Sequence, residues 1–216
     1  MNNQAVIATA QQTLLAHGVS QLPIRVYPFC DRMGIHCKLY HPKDDNDGCC
    51  GIRNNTVYIF IAERFTPTTK KDLRHTAEYR RFTTAHELGH ALRGHVGPWS
   101  WTDEDSNVHH IAWCGITQKQ FDTKRIYYKE MEQEADDFAA ELLMPQCVLL
   151  TLGVTSAKEI AQLCETTYPD ALRVWKRIRK RLKQGIGLTP TEYRVVGRFS
   201  EYIRQHHNRK AASANV

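Results

Sequence analysis

His86, Glu87 and His90 stand in the run His-Glu-Leu-Gly-His, a spacing suited to holding a metal ion and activating water beside it. On a helix of about 3.6 residues per turn the two histidines project from one face, one turn apart, so both imidazoles can reach one zinc ion. Glu87 follows the first histidine, which turns its carboxylate toward the side where a bound water would sit. A chain with 11 histidines shows HExxH by chance with a probability of roughly 3%, so the setting must decide. Phe82, Ala85, Leu88, Gly89 and Leu92 fall on one side of a helical pattern running from about 71 to 94, which gives the motif a buried face to rest on.

A catalytic zinc takes three protein donors and one water, so a third donor must come from elsewhere. The longer pattern HExxHxxGxxH would need glycine at 93 and histidine at 96, where this chain has Arg93 and Val96, and His95 is displaced by one. A second source is the helix predicted from about 128 to 144 and stopped by Pro145. Met131, Ala135, Phe138, Ala139 and Leu142 form its apolar stripe, Glu132 and Glu134 lie on the two borders, and Glu130 and Glu141 point farther out into solvent. Periodicity keeps both Glu132 and Glu134 open as the third ligand. One feature leans toward Glu132: Asp136 stands four residues later on the same face, where it can accept a hydrogen bond from a ligating histidine, whereas Glu134 has Phe138 in that position.

The elements around these helices read as α+β. Residues 4–16, with Val6, Leu14 and Leu15, predict an opening helix ended near Gly18. Ile24-Arg25-Val26-Tyr27 and residues 56–61 read as strands, with turns at 43–48 and at Asn54-Asn55, so a small, mostly antiparallel sheet is expected. The polar stretch 98–107 and the irregular region after it, to about Lys124, read as a loop bordering a cleft. Two short helices follow at about 156–165 and 170–183, and 209–216 reads as frayed.

Bulk properties exclude little, but what they exclude is useful. With 42% hydrophobic and 24% charged residues, the 216-residue chain is neither disordered nor a membrane protein. No run of about 18 apolar residues occurs, and the N-terminus has no basic residues ahead of an apolar core, so the cytoplasm is the expected address. The cysteines Cys30, Cys37, Cys49, Cys50, Cys114, Cys147 and Cys164 lack CxxC pairs, and free thiols in a reducing compartment are expected in preference to a second metal cluster.

The segment Arg80-Arg81-Phe82-Thr83-Thr84-Ala85-His86-Glu87-Leu88-Gly89-His90, followed after a gap by Glu132-Gln133-Glu134-Ala135-Asp136 and its continuation to Pro145, resembles the ImmA/IrrE family of metallopeptidases. The resemblance spans about 22 to 183. It implies a zincin-like domain with an HExxH helix, with His86, His90 and Glu132 as zinc ligands and Glu87 as general base. Glu134 remains the alternative ligand. The family's second motif usually carries asparagine where this chain has Asp136, which keeps an acceptor and adds a charge. The resemblance also implies a substrate: a helix-turn-helix transcriptional repressor, cut to relieve repression. The expected division is 1–150 as the zinc metallopeptidase domain, 151–185 as a helical C-terminal subdomain and 186–216 as a C-terminal extension. In water activation, Tyr127, Tyr128, His109 and His110 are candidates to stabilise the oxyanion.

Arg173, Lys176, Arg177, Arg179, Lys180, Arg181 and Lys183 follow one another with no acidic residue between them. Ala171, Val174, Trp175, Ile178 and Leu182 recur at helical steps among them, so one face packs and the other is basic. Paired with the preceding helix, this segment would make a helix-turn-helix. The chain is therefore either a peptidase whose C-terminal helices hold a protein substrate, or a DNA- or repressor-binding regulator whose zinc is structural. Three convincing ligands in place of four favour the peptidase.

Overall fold

The computed structural model describes residues 3–41, 47–53, 55–64, 69, 72–102, 108–112 and 125–214, with backbone alone at 3, 53, 96–102, 108–112, 125–128 and 214. In chain order the elements are α1 (Asn3–Ala16), α2 (Val26–Arg32), β1 (His36–Tyr40), β2 (Gly48–Arg53), β3 (Thr56–Ala62), α3 (Ala77–Leu92), β4 (Val96–Thr102), β5 (Val108–Ala112), α4 (Arg125–Leu143), α5 (Gln146–Thr151), α6 (Ala157–Cys164), α7 (Tyr168–Lys183), α8 (Pro190–Arg198) and α9 (Ser200–Ala214). They divide into two units, Arg25–Ala139 and a second made of Met1–Ile24 with Ala140–Val216.

The Arg25–Ala139 unit is α+β. Its sheet runs β1-β3-β2-β5-β4. β1 pairs parallel to β3, and the β2–β3, β2–β5 and β4–β5 pairings are antiparallel. Cys50 lies opposite Ile59 and Gly48 opposite Ile61, so these four share the face on which α3 packs. Two expectations fail here. Val26 and Tyr27 open α2 in place of a strand, because Val26, Phe29 and Cys30 bury at helical spacing and Pro28 sits in the first turn, where its missing N–H is harmless. The stretch read as a loop after position 98 instead includes β4 and β5, a hairpin that extends the sheet beyond β2; residues 103–107 and 113–124 lie outside the described residues.

α3 starts at Ala77, later than the pattern from 71 suggests, because Thr76 caps it by accepting from the Tyr79 N–H at 3.2 Å. Phe82, Ala85, Leu88 and Gly89 are buried, whereas Leu92, in the last turn, stays 37% exposed. The helix ends in a Schellman turn: Gly94 adopts φ +71°, its N–H bonds Ala91 O at 3.3 Å, and the His95 N–H bonds His90 O at 2.9 Å. That turn folds His95 back onto His90.

The second unit is helical. α1 packs on α8, α5 on α7 and α8, and α6 on α7, around Leu14, Leu143, Leu149, Ile160, Val174, Ile178 and Phe199. Ser156 and Thr167 cap α6 and α7, and Thr189 and Glu192 form a capping box on α8. Residues 209–214 do not fray; they continue α9, which the 2.6 Å Lys210–Glu159 ion pair joins to α6. Leu182, expected to pack, is 60% exposed. Among the described residues no helix is long and apolar enough to cross a membrane.

Glu141 is the clearest departure in this unit. Expected in solvent, it is 2% exposed, and its carboxylate accepts hydrogen bonds from Gln11 Nε2 at 2.9 Å and Gln146 Nε2 at 3.1 Å. Burial pushes its pKa up to about 7, the two glutamine hydrogen bonds oppose the rise, and the charge of Glu192 adds to it. With the folded value above the unfolded one, the folded state holds the proton longer, so stability is lost as pH rises from about 4.5 to about 7. Glu141→Gln removes that cost, since the neighbouring amides can turn to present their oxygens. Chemical denaturation should show the variant more stable than wild type by about 3 kcal/mol above pH 7, with the gain vanishing toward pH 4.5. An equal gain at both pH values would mean that the carboxylate's charge is not the cause.

Candidate metal centre

The HExxH motif lies on α3, and the facing carboxylates come from α4. What brings the helices close is Gly89: a Cβ there would meet Phe138 Cδ1 at 3.1 Å and the Ala135 Cα at 3.2 Å. The apolar stripe of α4, Ala135, Phe138 and Ala139, presses on that spot and is fully buried. The acidic borders of the stripe then fall on either side of the contact.

On one side, His86, His90 and Glu132 each offer a donor atom, all within 4.8 Å of one another. His86 Nε2 is 3.2 Å from Glu132 Oε2, His90 Nε2 is 3.3 Å from Glu132 Oε1, and the two Nε2 atoms are 3.0 Å apart. Two imidazole nitrogens and a carboxylate are a donor set suited to zinc. Glu132 Oε1 is buried and, although 3.3 Å from His90 Nε2, makes no well-aligned hydrogen bond among the described residues, as expected of an atom meant for a cation. Asp136 Oδ1 lies 3.0 Å from His86 Nδ1, the nitrogen pointing away from the cluster. Among the described residues no other His/Cys/Asp/Glu group is placed to hold a metal ion, and no disulfide joins the six described cysteines; Cys114 lies outside them.

The electrostatics favour a positive charge at this point. Burial alone would lower the His86 pKa, but hydrogen bonds to Asp136 and Glu132 and the charge of Glu87 push it up to about 10. Burial alone would raise Glu132, yet the two histidines pull it down to about 2. Carboxylates therefore surround the imidazoles on several sides, and the cluster attracts a cation when it holds none.

Glu87 is 2% exposed and packs against β2. Gly48 makes the room: a Cβ there would meet Glu87 Oε1 at 3.1 Å and Thr83 Cγ2 at 2.9 Å. Cys50, two residues along the strand, hydrogen-bonds the same carboxylate, and burial followed by the Glu87 charge pushes its thiol well up, so it stays protonated. The sequence placed Gly48 in a turn and Cys50 among the free thiols, and only the β2 register reveals their place beside Glu87.

On the other side of the helix contact, Glu134 turns away from the cluster. Its Oε2 accepts from Arg93 Nε at 3.0 Å and Arg93 Nη2 at 2.9 Å and lies 3.2 Å from His95 Nε2. His95 likewise stands beside the donor set, with Nδ1 3.1 Å from His90 Nδ1. The side chains of Tyr127, Tyr128, His109 and His110 lie outside the described residues.

Residues 72–168 match the family model Peptidase_M78, the IrrE N-terminal-like domain. The match covers α3 through α6, and so both helices of the candidate centre, and that stretch is similar to a peptidase family. It is narrower than the span suggested by sequence resemblance, leaving out β1 to β3 and most of α7. No curated protein matches the chain.

Proposed function

We propose, from the similarity of residues 72–168 to a peptidase family model, that the chain is a zinc-dependent endopeptidase that cuts a helix-turn-helix transcriptional repressor in the cytoplasm and so relieves repression. The observation that carries this reading is the convergence of His86, His90 and Glu132 donor atoms within 4.8 Å, beside a buried Glu87 that is not among them. His86, His90 and Glu132 are the proposed ligands and Glu87 the proposed general base. Three protein donors in place of four leave a position for water, which separates a catalytic from a structural site.

Bound there, zinc supplies Lewis acidity, lowering the pKa of a water toward about 7 and polarising the scissile carbonyl. Glu87 takes the proton from that water on its carboxylate and returns it to the nitrogen of the leaving amine. The Cys50 thiol and the space above Gly48 hold that carboxylate in place. Asp136 keeps the His86 proton on Nδ1, leaving Nε2 with a lone pair to offer.

The repressor as substrate rests on the family resemblance and is tested directly. Co-expression with the helix-turn-helix repressors encoded near this chain, with and without added zinc and stress, should produce a truncated repressor detectable by mass spectrometry. Repressors that remain intact under all these conditions would remove that substrate class. A second reading has its own observation: Lys176, Arg179, Lys180 and Lys183 are exposed on α7, beside Arg173, whose guanidinium pairs with Asp170. They give a basic face for DNA or for an acidic surface of the repressor. Arg181 does not add to it, because its guanidinium is held by Glu192 of α8 at 2.5 and 2.7 Å.

A further inference from the structure

The four residues at the end of α3 and on the far border of α4 form a chain of hydrogen bonds that leads to one proposed ligand. Resting on the metal-site reading above, we infer that His95 and Glu134, locked by Arg93, are positioning residues: they hold the proton of His90 on Nδ1 so that Nε2 is free for zinc.

The direction of the chain follows from what each group can do. His90 Nε2 faces His86 and Glu132, so Nδ1 is its remaining ring nitrogen, and that atom lies 3.1 Å from His95 Nδ1. Two ring nitrogens at this distance share one proton. A neutral His90 that offers its Nε2 lone pair carries its proton on Nδ1, and so donates to His95. A neutral His95 that accepts on Nδ1 carries its own proton on Nε2, which points at Glu134 Oε2 at 3.2 Å. Arg93 can only donate, and its two hydrogen bonds to that same oxygen, at 3.0 and 2.9 Å, keep Glu134 an acceptor. Each proton in the series therefore has one consistent place.

Local structure makes the chain obligatory. The positive φ of Gly94 allows the turn that returns His95 to the level of His90, and the two rings meet edge to face with centroids 5.2 Å apart. His95 is 8% exposed, so water cannot easily take its place as the partner of His90 Nδ1. Both histidines of the motif are thus backed by carboxylates of α4. Asp136 supports His86 directly, and Glu134 supports His90 through an intervening imidazole. The closeness of His95 to the motif reflects this supporting role, not membership of the donor set.

The test is Zn2+ affinity of the full chain, measured by competition with a chelating dye, together with nitrogen-15 spectra of the histidine rings in the zinc-loaded protein. His95→Phe should weaken Zn2+ binding by about 10–100-fold and abolish the protected Nδ1–H signal of His90, and His95→Asn should recover part of the affinity. If His95→Phe loses its fold by circular dichroism, Glu134→Gln carries the test, with weakening of about 10-fold expected. Undiminished affinity in a folded His95→Phe, or in Glu134→Gln where that variant carries the test, overturns the relay and leaves the metal site standing. A wild-type chain that binds no Zn2+ overturns the site reading itself, and the two failures are distinguishable.

Discussion

Glu87→Gln should lower repressor cleavage by about 10²–10⁴-fold while Zn2+ content stays at the wild-type level. The substitution keeps size and shape at a position that is 2% exposed, and the glutamine oxygen can still accept from the Cys50 thiol. What disappears is the ability to take a proton from water, because an amide is not a base at neutral pH. Glu87 is not one of the three converging donors, so the metal has no reason to leave. Cleavage of one repressor by both proteins, followed by mass spectrometry with elemental analysis of the same samples, separates the outcomes. Cutting at the wild-type rate would place the base elsewhere. Loss of zinc would make Glu87 part of the metal-holding set. Relief of repression by both forms with the repressor intact would favour the binding reading, with the basic face of α7 at its centre.

Replacing His86 and His90 together by alanine should abolish stoichiometric zinc, and Glu132→Ala should weaken it by more than the roughly 10–100-fold expected for loss of a supporting group such as Glu134. The difference follows from geometry. Glu132 reaches both Nε2 atoms, at 3.2 and 3.3 Å, whereas the hydrogen bonds of Glu134 go to Arg93 and His95. Elemental analysis and metal competition measure both. Full zinc occupancy in the double-histidine variant would mean that the cysteines hold the ion, and a greater loss in Glu134→Ala than in Glu132→Ala would reverse the assignment.

The candidate centre was legible wherever it depends on helical phase. The i, i+4 spacing of His86 and His90 and the border position of Glu132 are properties of single helices, and α3 and α4 carry them as their apolar stripes predict. Periodicity stopped short wherever partners are distant in sequence. Glu141 looks solvated on its own helix, and Gln11, 130 positions away, together with Gln146 shows where its carboxylate goes. The choice between Glu132 and Glu134 depends on where His95 and Arg93 stand after the Schellman turn, past the end of any helical repeat. Four residues, Ile24 to Tyr27, are too few to tell a strand from the first turn of α2. β4 and β5 were hidden because Pro98 and the polar residues after it suggest a loop, and the pairing of β5 with β2 and of β4 with β5 supplies what local propensity does not.

Gly48, on β2, leaves room for the Glu87 carboxylate, and Gly89, inside the motif, leaves room for the helix that carries Glu132. In a saturation scan scored for cleavage, both positions should rank among the least tolerant, although neither contributes an atom to the reaction. A score of that kind measures clearance. At Gly89 the obstacles, Phe138 and the Ala135 backbone, all belong to α4, whereas at Gly48 they are the Thr83 and Glu87 side chains of α3 and the Phe60 carbonyl of β3. The two should therefore lose activity by different routes: Gly89 variants by dispersing the donor set and shedding metal, and Gly48 variants by misplacing the base in a protein that keeps its zinc.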